Sequence, residues 1–365
     1  MKLLYVVPRL GGAGGMQRVL LLKAGYLADK LGYDITVLVT NPDLQEILFE
    51  VSPRLKIVYL QPQRGNVFSY FLSYCKGVKK TVSGIQPDVV VMCDNGLKSF
   101  FLPWLLPKKI PLVYEMHASR FLIEKEIRQN KLLRMIPPRA LLNFVFSRYR
   151  QVVTLTQGGR AEWQFKNSTV ISNSLWFSPA GQNPLTSKKI IAMGRHSQEK
   201  GYERMFNIWK KVSEYFPDWT LEIYGAYNPD YNLILLADEN KLENIIFSEP
   251  VKDIEATYSH ASISIMTSVS ETFGLALLEA MACGVPCVAY NCPTGPAELI
   301  CNGVNGFLVE DDDERGFISA LQQLMYSQEL RLQFGKAAKQ KAAMYNLEAI
   351  MQQWNNLFTS LANGA

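Results

Sequence analysis

The sequence contains few of the residues that form metal clusters and disulfide frameworks. Its 365 residues include only three histidines and six cysteines, and no two cysteines form a CxxC pair. No histidine lies near a cysteine at metal-ligand spacing, which argues against a structural zinc site. The cysteine usage instead predicts free, buried thiols in a reducing compartment, the cytoplasm.

Long apolar runs are also missing. The apolar stretch after Lys2 ends at Pro8, which is too short for the apolar region of a secretory signal peptide. The most apolar run, Phe100–Pro107, falls far below the roughly 20 residues that a bilayer-spanning helix needs. With 48% apolar and 19% charged residues, the composition predicts a folded chain with two cores.

The charges are divided unevenly along the chain. Residues 1–175 hold 24 Lys and Arg against 11 Asp and Glu, a net charge of +13, whereas residues 176–365 hold 14 against 22, a net charge of −8. A basic first half suits an anionic acceptor or an anionic membrane surface. A solvated, Lys-rich face would explain the excess of basic residues in the first half equally well. Because no arginine-rich run is interleaved with aromatics, we expect no nucleic-acid partner.

Strand-like and helix-like segments alternate through the sequence. Leu3–Val7 predicts a buried strand, residues 16–31 a helix ended by Gly32, and Ile35–Val39 a second strand. Strand, helix, strand within about 40 residues is a βαβ unit, which implies a parallel sheet. A second series of this kind starts at Lys188, with a strand predicted at Cys287–Tyr290 and helices predicted at residues 202–215, 274–283, 314–326 and 347–361. The fold class predicted is therefore α/β, with two doubly wound domains that would enclose a cleft, and ligands at the carboxyl ends of their strands.

The boundaries follow from the turn-forming stretch WFSPAGQNPLTS at residues 176–187, which has no period and predicts a linker. We expect an N-terminal domain over residues 1–175, a linker over 176–187 and a second domain over 188–345. A C-terminal helix over 346–365 can cross back to the first domain.

Two glutamates eight residues apart give the strongest chemical signal, in SETFGLALLEAMACGVP at residues 270–286. Glu271 falls in a loop after a strand, and Glu279 in the helical pattern that begins near Gly274. The amino end of such a helix offers free N–H groups and partial positive charge to a diphosphate. The two carboxylates could accept hydrogen bonds from sugar and ribose hydroxyls. The spacing alone fits a helix-capping Glu and a solvated Glu at least as well.

The whole string resembles the E-x7-E signature of the GT-B glycosyltransferases of family 4, the glycosyl transferases group 1. The resemblance continues in MGRHSQEKG at residues 193–201, CPTGPAELI at 292–300 and NGVNGFLV at 302–309. It is highly specific over 190–310 and looser before that. It implies a GT-B fold of two facing Rossmann-like domains, of which the first would bind the acceptor and the second a nucleotide sugar. It also implies a retaining, metal-independent transferase that needs no cofactor.

Site residues follow from this resemblance. Glu271 would contact the donor sugar and Glu279 the ribose, while Arg195 and Lys200 would neutralise the leaving diphosphate, as an Arg fork and a Lys point charge can. Backbone N–H groups would also serve the sugar and phosphate, those of Phe273, Gly274 and Leu275.

Two elements of the first half resemble the same family more loosely. GGMQRVL at residues 14–20 is similar to its Gly-Gly-x-Glu-Arg loop, which would place Gly14 and Gly15 near the donor phosphate, although Gln17 replaces the usual Glu. Gln17 also stands where a dinucleotide fingerprint needs Gly, which argues against NAD. A tight strand-to-helix turn is the alternative. His117 follows a strand and matches the family's His beside the donor sugar, although a lone His at such a place is more often structural.

The region Lys98–Arg150 is both basic and apolar. Such a surface could contact the inner leaflet of an anionic membrane and receive a polyprenyl-diphosphate-linked sugar. A buried helix pair with basic edges is the alternative. The variant NCPTGP at residues 291–296 resembles members that use UDP-hexose or UDP-N-acetylhexosamine.

The predicted function is therefore hexosyl transfer from a nucleotide-diphosphate sugar to a glycan or lipid-linked glycan in cell-surface polysaccharide synthesis. The enzyme would be cytoplasmic, with peripheral attachment to the plasma membrane left open. The departing phosphate oxygen would take the acceptor proton, so no side-chain base is obligatory. A GT-B sugar-nucleotide epimerase and a non-catalytic nucleotide-sugar-binding subunit are the alternatives.

Overall fold

A computed structural model describes residues 1–12, 14–41, 46–61, 66–94, 96, 98–130, 135–179, 181 and 183–364. The chain forms two compact units. Met1–Ser172 and Glu348–Ala365 make the first, and Asn173–Leu347 makes the second. Predictions that fall on Ala13, on residues 131–134, or on Ala180 and Gln182 within the predicted linker lie outside the described residues.

The first unit is built on a parallel sheet of seven strands, in the order β3-β2-β1-β4-β5-β6-β7. The strands are β1 (Lys2–Val7), β2 (Asp34–Val39), β3 (Lys56–Tyr59), β4 (Val89–Met92), β5 (Leu112–Glu115), β6 (Gln151–Thr154) and β7 (Ser168–Val170). The helices are α1 (Gly15–Asp29), α2 (Val67–Ile85), α3 (Lys98–Leu105), α4 (Arg120–Gln129), α5 (Pro138–Phe146), α6 (Gln157–Trp163) and, from the C-terminus, α14 (Leu347–Ala362).

Apart from Lys2 and Glu115 at their ends, the central strands β1, β4 and β5 consist of Leu, Val, Met and Tyr, as expected of strands that are buried on both faces. In β1, the side chains from Leu3 to Val7 are fully buried. The strand order reverses between β1 and β4, and ligands of doubly wound sheets bind at such a switch point. The C-terminal helix α14 is tied to this unit through Tyr33, whose hydroxyl lies 2.6 Å from Oδ1 of Asn355.

The second unit repeats this design with six parallel strands in the order β10-β9-β8-β11-β12-β13. The strands are β8 (Lys189–Met193), β9 (Thr220–Tyr224), β10 (Ile245–Ser248), β11 (Ile263–Met266), β12 (Cys287–Tyr290) and β13 (Gly306–Val309). The helices are α7 (Tyr202–Ser213), α8 (Leu233–Glu239), α9 (Ile254–Ser259), α10 (Leu275–Ala282), α11 (Pro296–Leu299), α12 (Glu314–Tyr326) and α13 (Gln328–Ala342), with 3-10 turns at Gln198–Lys200 and Ala343–Tyr345.

The predicted fold class, two doubly wound α/β domains, is confirmed in both units. All six cysteines are unpaired; five are buried as expected, whereas Cys301 is exposed. Within the described residues, no helix combines the length and the apolar character that crossing a bilayer requires.

Candidate functional site

Three loops meet at the carboxyl ends of the second unit's central strands. The loop after β8 is bonded to the loop after β11, where the N–H of Val269 donates to the carbonyl of Glu199 over 2.8 Å. The loop after β11 is bonded in turn to the loop after β12. There the N–H of Glu271 donates to Pro293 over 2.8 Å, and the N–H of Gly295 donates to Glu271 over 2.7 Å. Backbone contacts therefore fix the three loops that carry the predicted donor-binding motifs.

Glycine is required at two of these contacts. Gly201 has a φ of +63°, and a Cβ there would lie 2.2 Å from the carbonyl oxygen of Thr267. A Cβ on Gly295 would lie 2.6 Å from the backbone of Phe273. Neither loop could approach its neighbour this closely with a larger residue.

The structure brings Lys200 and Glu271 together. The ammonium of Lys200 lies 2.5 Å from Oε2 of Glu271, and both side chains are mostly buried. The stem of Lys200 also passes close to Gly194, on the opposite side of its own loop. One cation and one carboxylate from two different loops are thus held side by side next to the start of α10.

Helix α10 begins directly after this pair. Its preceding residue, Gly274, has a left-handed backbone with a φ of +93°, and Phe273 is buried against Tyr345, with ring centroids 5.6 Å apart. The first turn of a helix has N–H groups without intrahelical acceptors and a partial positive charge. Lys200 and the amino end of α10, at Leu275, therefore offer positive charge beside one carboxylate, an arrangement suited to a sugar attached to a phosphate.

Arg195 is not joined to this pair. Its side chain is 68% exposed, and its guanidinium lies 2.5 Å from Oε1 of Glu199, four residues along the same loop. An exposed ion pair of this kind contributes at most about 1 kcal/mol. A phosphate could therefore replace Glu199 as the partner of Arg195 at small cost.

The second glutamate of the motif is buried and held by a residue that sequence reasoning missed. Oε1 of Glu279 accepts a hydrogen bond of 2.8 Å from the indole Nε1 of Trp176. Trp176 and its neighbour Phe177 also line a cavity of about 440 Å³ together with residues of α10 and α13, such as Ala282 and Lys339. Trp176 lies in the segment that we predicted to be a linker, and the aperiodic sequence there gave no signal for this contact.

Arg204 is a second residue that the sequence did not indicate. Its guanidinium donates to the carbonyls of Thr267 and Ser268, at 2.6 and 2.7 Å, and pairs with Asp311 at 2.7 Å. It also lies over the ring of Tyr290, 4.5 Å from the centroid. Arg204 therefore fastens the loop that leads from β11 to Glu271.

In the first unit, the glycine loop leads into α1. Gly14 is the residue that precedes the helix, and Gly15 is its first residue. The amide of Gln17 folds back and donates from Nε2 to the carbonyl of Gly11 over 3.5 Å, which a Glu could not do. A Cβ on Gly14 would clash with this side chain, at 2.2 Å from Oε1. Gln17 therefore helps to close the loop.

His117 follows β5 in the first unit, where Nε2 lies 3.2 Å from Oε1 of Glu115. Glu115 is buried and forms an ion pair with Lys23, and the Sγ of Cys93 lies 3.3 Å from its Oε2. Burial alone would raise the pKa of the Glu115 carboxyl, but the Lys23 ammonium and His117 outweigh it and hold that pKa well below its usual range. Burial, followed by the charge of Glu115, raises the pKa of the Cys93 thiol well above its usual value.

Three of these side chains are of the types that bind metal ions. Cys93, Glu115 and His117 offer ligand atoms that all lie within 4.8 Å of one another. The carboxylate of Glu115, however, already forms an ion pair with the ammonium of Lys23. A divalent cation would have to displace that ammonium and leave a buried charge unpaired, and we assign no metal to the group.

Comparison with known proteins agrees with the folds of both units and with the family resemblance of the second. The model of the glycosyl transferases group 1 family matches residues 177–341, nearly the whole second unit. The chain is 26% identical to an uncharacterized glycosyltransferase of Haemophilus influenzae, over 98% of this chain and 99% of that protein. It is also 26% identical to the amylovoran biosynthesis glycosyltransferase AmsD of Erwinia amylovora, over 98% of this chain and 99% of that protein.

Among solved structures, the Anabaena protein HepE in complex with UDP and glucose matches with a TM-score of 0.78 and 18% identity, over 99% of this chain and 100% of that chain. At 18% identity, the likeness shows that the two chains share a fold, and nothing beyond that. The chain therefore shares the GT-B fold with this structure, and its residues 177–341 match the glycosyl transferases group 1 family.

Proposed function

We propose that the protein is a retaining hexosyltransferase that moves a hexose or N-acetylhexosamine from a UDP-sugar to a glycan or lipid-linked glycan acceptor. The observation that carries this proposal is the pairing of Lys200 with Glu271, 2.5 Å apart, at the amino end of α10. A cation for the leaving diphosphate and a carboxylate for the sugar hydroxyls are the two groups that such a donor needs side by side.

The remaining donor contacts come from the same unit. Glu279 would bind the ribose, and Arg195 would exchange Glu199 for the diphosphate. Sugar and phosphate oxygens would also accept hydrogen bonds from backbone N–H groups, those of Phe273, Gly274 and Leu275. The first unit would contribute Gly14 and Gly15 near the phosphate and His117 near the sugar. The structure of the Anabaena protein with UDP and glucose supports the choice of a UDP-sugar.

The reaction would need no metal or other cofactor. The bond between the anomeric carbon and the diphosphate oxygen breaks, and its electron pair leaves with the diphosphate. The acceptor oxygen bonds to the same face of the anomeric carbon, and its proton passes to the departing phosphate oxygen. Lys200, Arg195 and the amino end of α10 stabilise the charge that develops on the diphosphate.

The acceptor is proposed to be part of a cell-surface polysaccharide in the making, and the name of the Erwinia relative, a glycosyltransferase of amylovoran biosynthesis, supports this. Labelled UDP-glucose, UDP-galactose and UDP-N-acetylglucosamine should be offered with polyprenyl-diphosphate-linked sugars in the presence of EDTA. We expect a product with the anomeric configuration of the donor, identified by NMR. An inverted product would contradict the retaining mechanism, and free UDP released at the same rate without acceptor would favour an epimerase or hydrolase.

Contact with the inner leaflet of the plasma membrane is proposed for the aromatic face of α2, α3 and α5. Phe101 packs on Phe71 with ring centroids 4.9 Å apart, and Trp104 packs on Phe144 at 5.8 Å. Phe101, Trp104 and Phe144 nevertheless stay exposed, and the guanidinium of Arg148 lies 5.2 Å from the ring centroid of Phe144. Aromatic rings beside a cation are typical of surfaces that lie in the headgroup region of an anionic bilayer.

Co-sedimentation with phosphatidylglycerol vesicles tests this contact. The double variant Trp104→Ser, Phe144→Ser should lose binding, whereas Tyr215→Ser, which removes an exposed aromatic of the second unit, should keep it. Equal binding of both variants, or equal binding of the wild type to phosphatidylcholine vesicles, would contradict a specific anionic contact.

A further inference from the structure

A buried charged side chain in the first unit has no part in the proposed donor contacts. Lys23 of α1 is 1% exposed. Its ammonium forms an ion pair with Glu115 at the end of β5 and lies 3.9 Å from the ring centroid of Trp354 in α14. The ring of Tyr5 in β1 is the next group, with its centroid 5.5 Å away. Residues from two strands and one other helix thus surround the ammonium group of Lys23.

Such an ammonium is costly to bury. An ion taken from water loses several kcal/mol of solvation unless its partners replace the water. Here the replacements are the carboxylate of Glu115 and the faces of two aromatic rings, which attract cations through their quadrupoles. An apolar residue at position 23 would avoid the cost altogether, so packing alone does not account for a lysine there.

The far side of the carboxylate faces His117. Lys23 and the thiol of Cys93 contact Oε2 of Glu115, while Nε2 of His117 lies 3.2 Å from Oε1. An ionised carboxylate only accepts hydrogen bonds. The ring nitrogen that faces it must therefore carry a proton, and in the neutral ring Nδ1 is then the acceptor.

We propose that Glu115 is a positioning residue that holds the imidazole of His117 in its Nε2–H form, and that Lys23, held by Trp354 of the C-terminal helix, keeps Glu115 in place. The catalytic meaning of this relay rests on the proposed function, in which His117 lies beside the donor sugar. The relay itself, from α14 through α1 to the end of β5, is a property of the first unit alone.

Histidine NMR tests the relay without any substrate. The chain has three histidines, so long-range proton–nitrogen spectra can be assigned with the variants His196→Phe and His260→Asn. At a pH where the His117 ring is neutral, we expect it in a single Nε2–H form in the wild type. The double variant Lys23→Met, Glu115→Leu removes both charges at similar volume and leaves no unpaired ion. It should shift the His117 signals to an average of both tautomers and leave the other two histidines unchanged.

Kinetics provide the second readout. Partners that orient a metal-bound histidine typically contribute about 10- to 100-fold. By analogy, kcat of the double variant should fall by about tenfold, with KM for the donor changed much less. Trp354→Phe keeps an aromatic face for Lys23 and should retain most of kcat, whereas Trp354→Leu should lower it.

The outcomes separate the two proposals. An Nδ1–H form of His117 in the wild type, or His117 signals that the double variant leaves in place, would overturn the relay even if sugar transfer is demonstrated. A chain that transfers no sugar but shows the expected change at His117 would refute the proposed function and keep the relay. If the double variant does not fold, Trp354→Leu in the same spectra decides, because it should perturb His117 whereas Trp354→Phe should not.

Discussion

At the scale of single residues, the ionisation of Glu115 depends on the charges of its neighbours. Its depressed pKa means that the folded state releases this proton more readily than the unfolded state does. The stabilisation is present above the ordinary carboxyl pKa of 4.5 and is lost as the pH falls through the folded value.

Below about pH 4.5, the free energy of unfolding should therefore fall more steeply in the wild type than in Lys23→Met, Glu115→Leu. One proton corresponds to a slope of about 1.4 kcal/mol per pH unit. Urea titrations at a series of pH values measure this slope. Parallel curves for the two proteins would show that the Glu115 carboxyl is not stabilised by folding.

His196, unlike Glu115, is a buried base rather than a buried acid. It is 4% exposed, and among the described residues neither ring nitrogen has a hydrogen-bond partner. Burial lowers its pKa below 6.5, only partly offset by Glu249. The unfolded chain therefore takes up a proton first, and stability is lost as the pH falls below about 6.5.

Replacing this ring by phenylalanine removes two polar atoms that have nothing to bind. His196→Phe should match or exceed the wild type in stability at pH 7, and by more at pH 5.5, because buried unsatisfied groups cost about 1–3 kcal/mol. Thermal unfolding at both pH values tests this, with exposed His260→Phe as the control. A loss of stability above about 1 kcal/mol at pH 7 would mean that His196 has a partner or a packing role that phenylalanine cannot fill.

A further prediction concerns Trp176 in the proposed donor site. Its indole hydrogen bond to Glu279 should orient the carboxylate for the ribose, and hydrogen bonds to charged groups contribute about 1.5–3 kcal/mol. Trp176→Phe should therefore weaken UDP binding by about tenfold in calorimetry, whereas Phe177→Leu in the same segment should have little effect. Unchanged affinity in Trp176→Phe would show that Glu279 needs no such support.

At the scale of elements, the sequence predicted the strands and the motif helix well. The helical pattern at residues 274–283 became α10 at Leu275–Ala282, and the predicted strand Cys287–Tyr290 has the same bounds as β12. The helix has a strong periodic apolar pattern, and the strand is a continuous apolar run. The Lys23–Glu115 pair could not be predicted, because its two residues are 92 positions apart and only the β1–β4–β5 order of the sheet brings them together.

Helix α13 was missed for a different reason. It packs on α10, and three of its five buried residues are small, namely Gly335, Ala338 and Ala342. It therefore has no broad apolar stripe from which a helix could be predicted. A Cβ on Gly335 would lie 2.2 Å from the carbonyl oxygen of Gly284. Close approach of the backbones replaces the large apolar side chains that usually mark a buried helix face.

Gly335→Ala should therefore destabilise the protein although alanine favours helices. Overpacking of a close contact costs about 1–3 kcal/mol. Gly84→Ala, at a helical glycine where a Cβ would meet nothing within 4 Å, should instead stabilise by about 0.5–1 kcal/mol. Chemical denaturation of both variants checks the contrast, and a Gly335→Ala protein as stable as Gly84→Ala would contradict the packing of α13 on α10.

At the scale of the whole molecule, the repeated α/β alternation was enough to predict the fold class, because few other folds bury such strands. Much of the candidate site in the second unit could be placed from one contiguous motif and two flanking loops. The pairing of Arg195 with Glu199 was not predicted, because an exposed guanidinium can pair with any carboxylate within its reach.

The most direct test of the donor site is UDP binding measured by calorimetry and thermal unfolding. UDP at 100 times its dissociation constant should stabilise the wild type by about 2.7 kcal/mol. Lys200→Ala should lose most of this effect, whereas Lys211→Ala, which removes an exposed ion-paired lysine of the same unit, should keep it. No stabilisation by UDP, GDP or ADP, or equal UDP binding in both variants, would contradict a nucleotide-sugar site at Lys200 and Glu271.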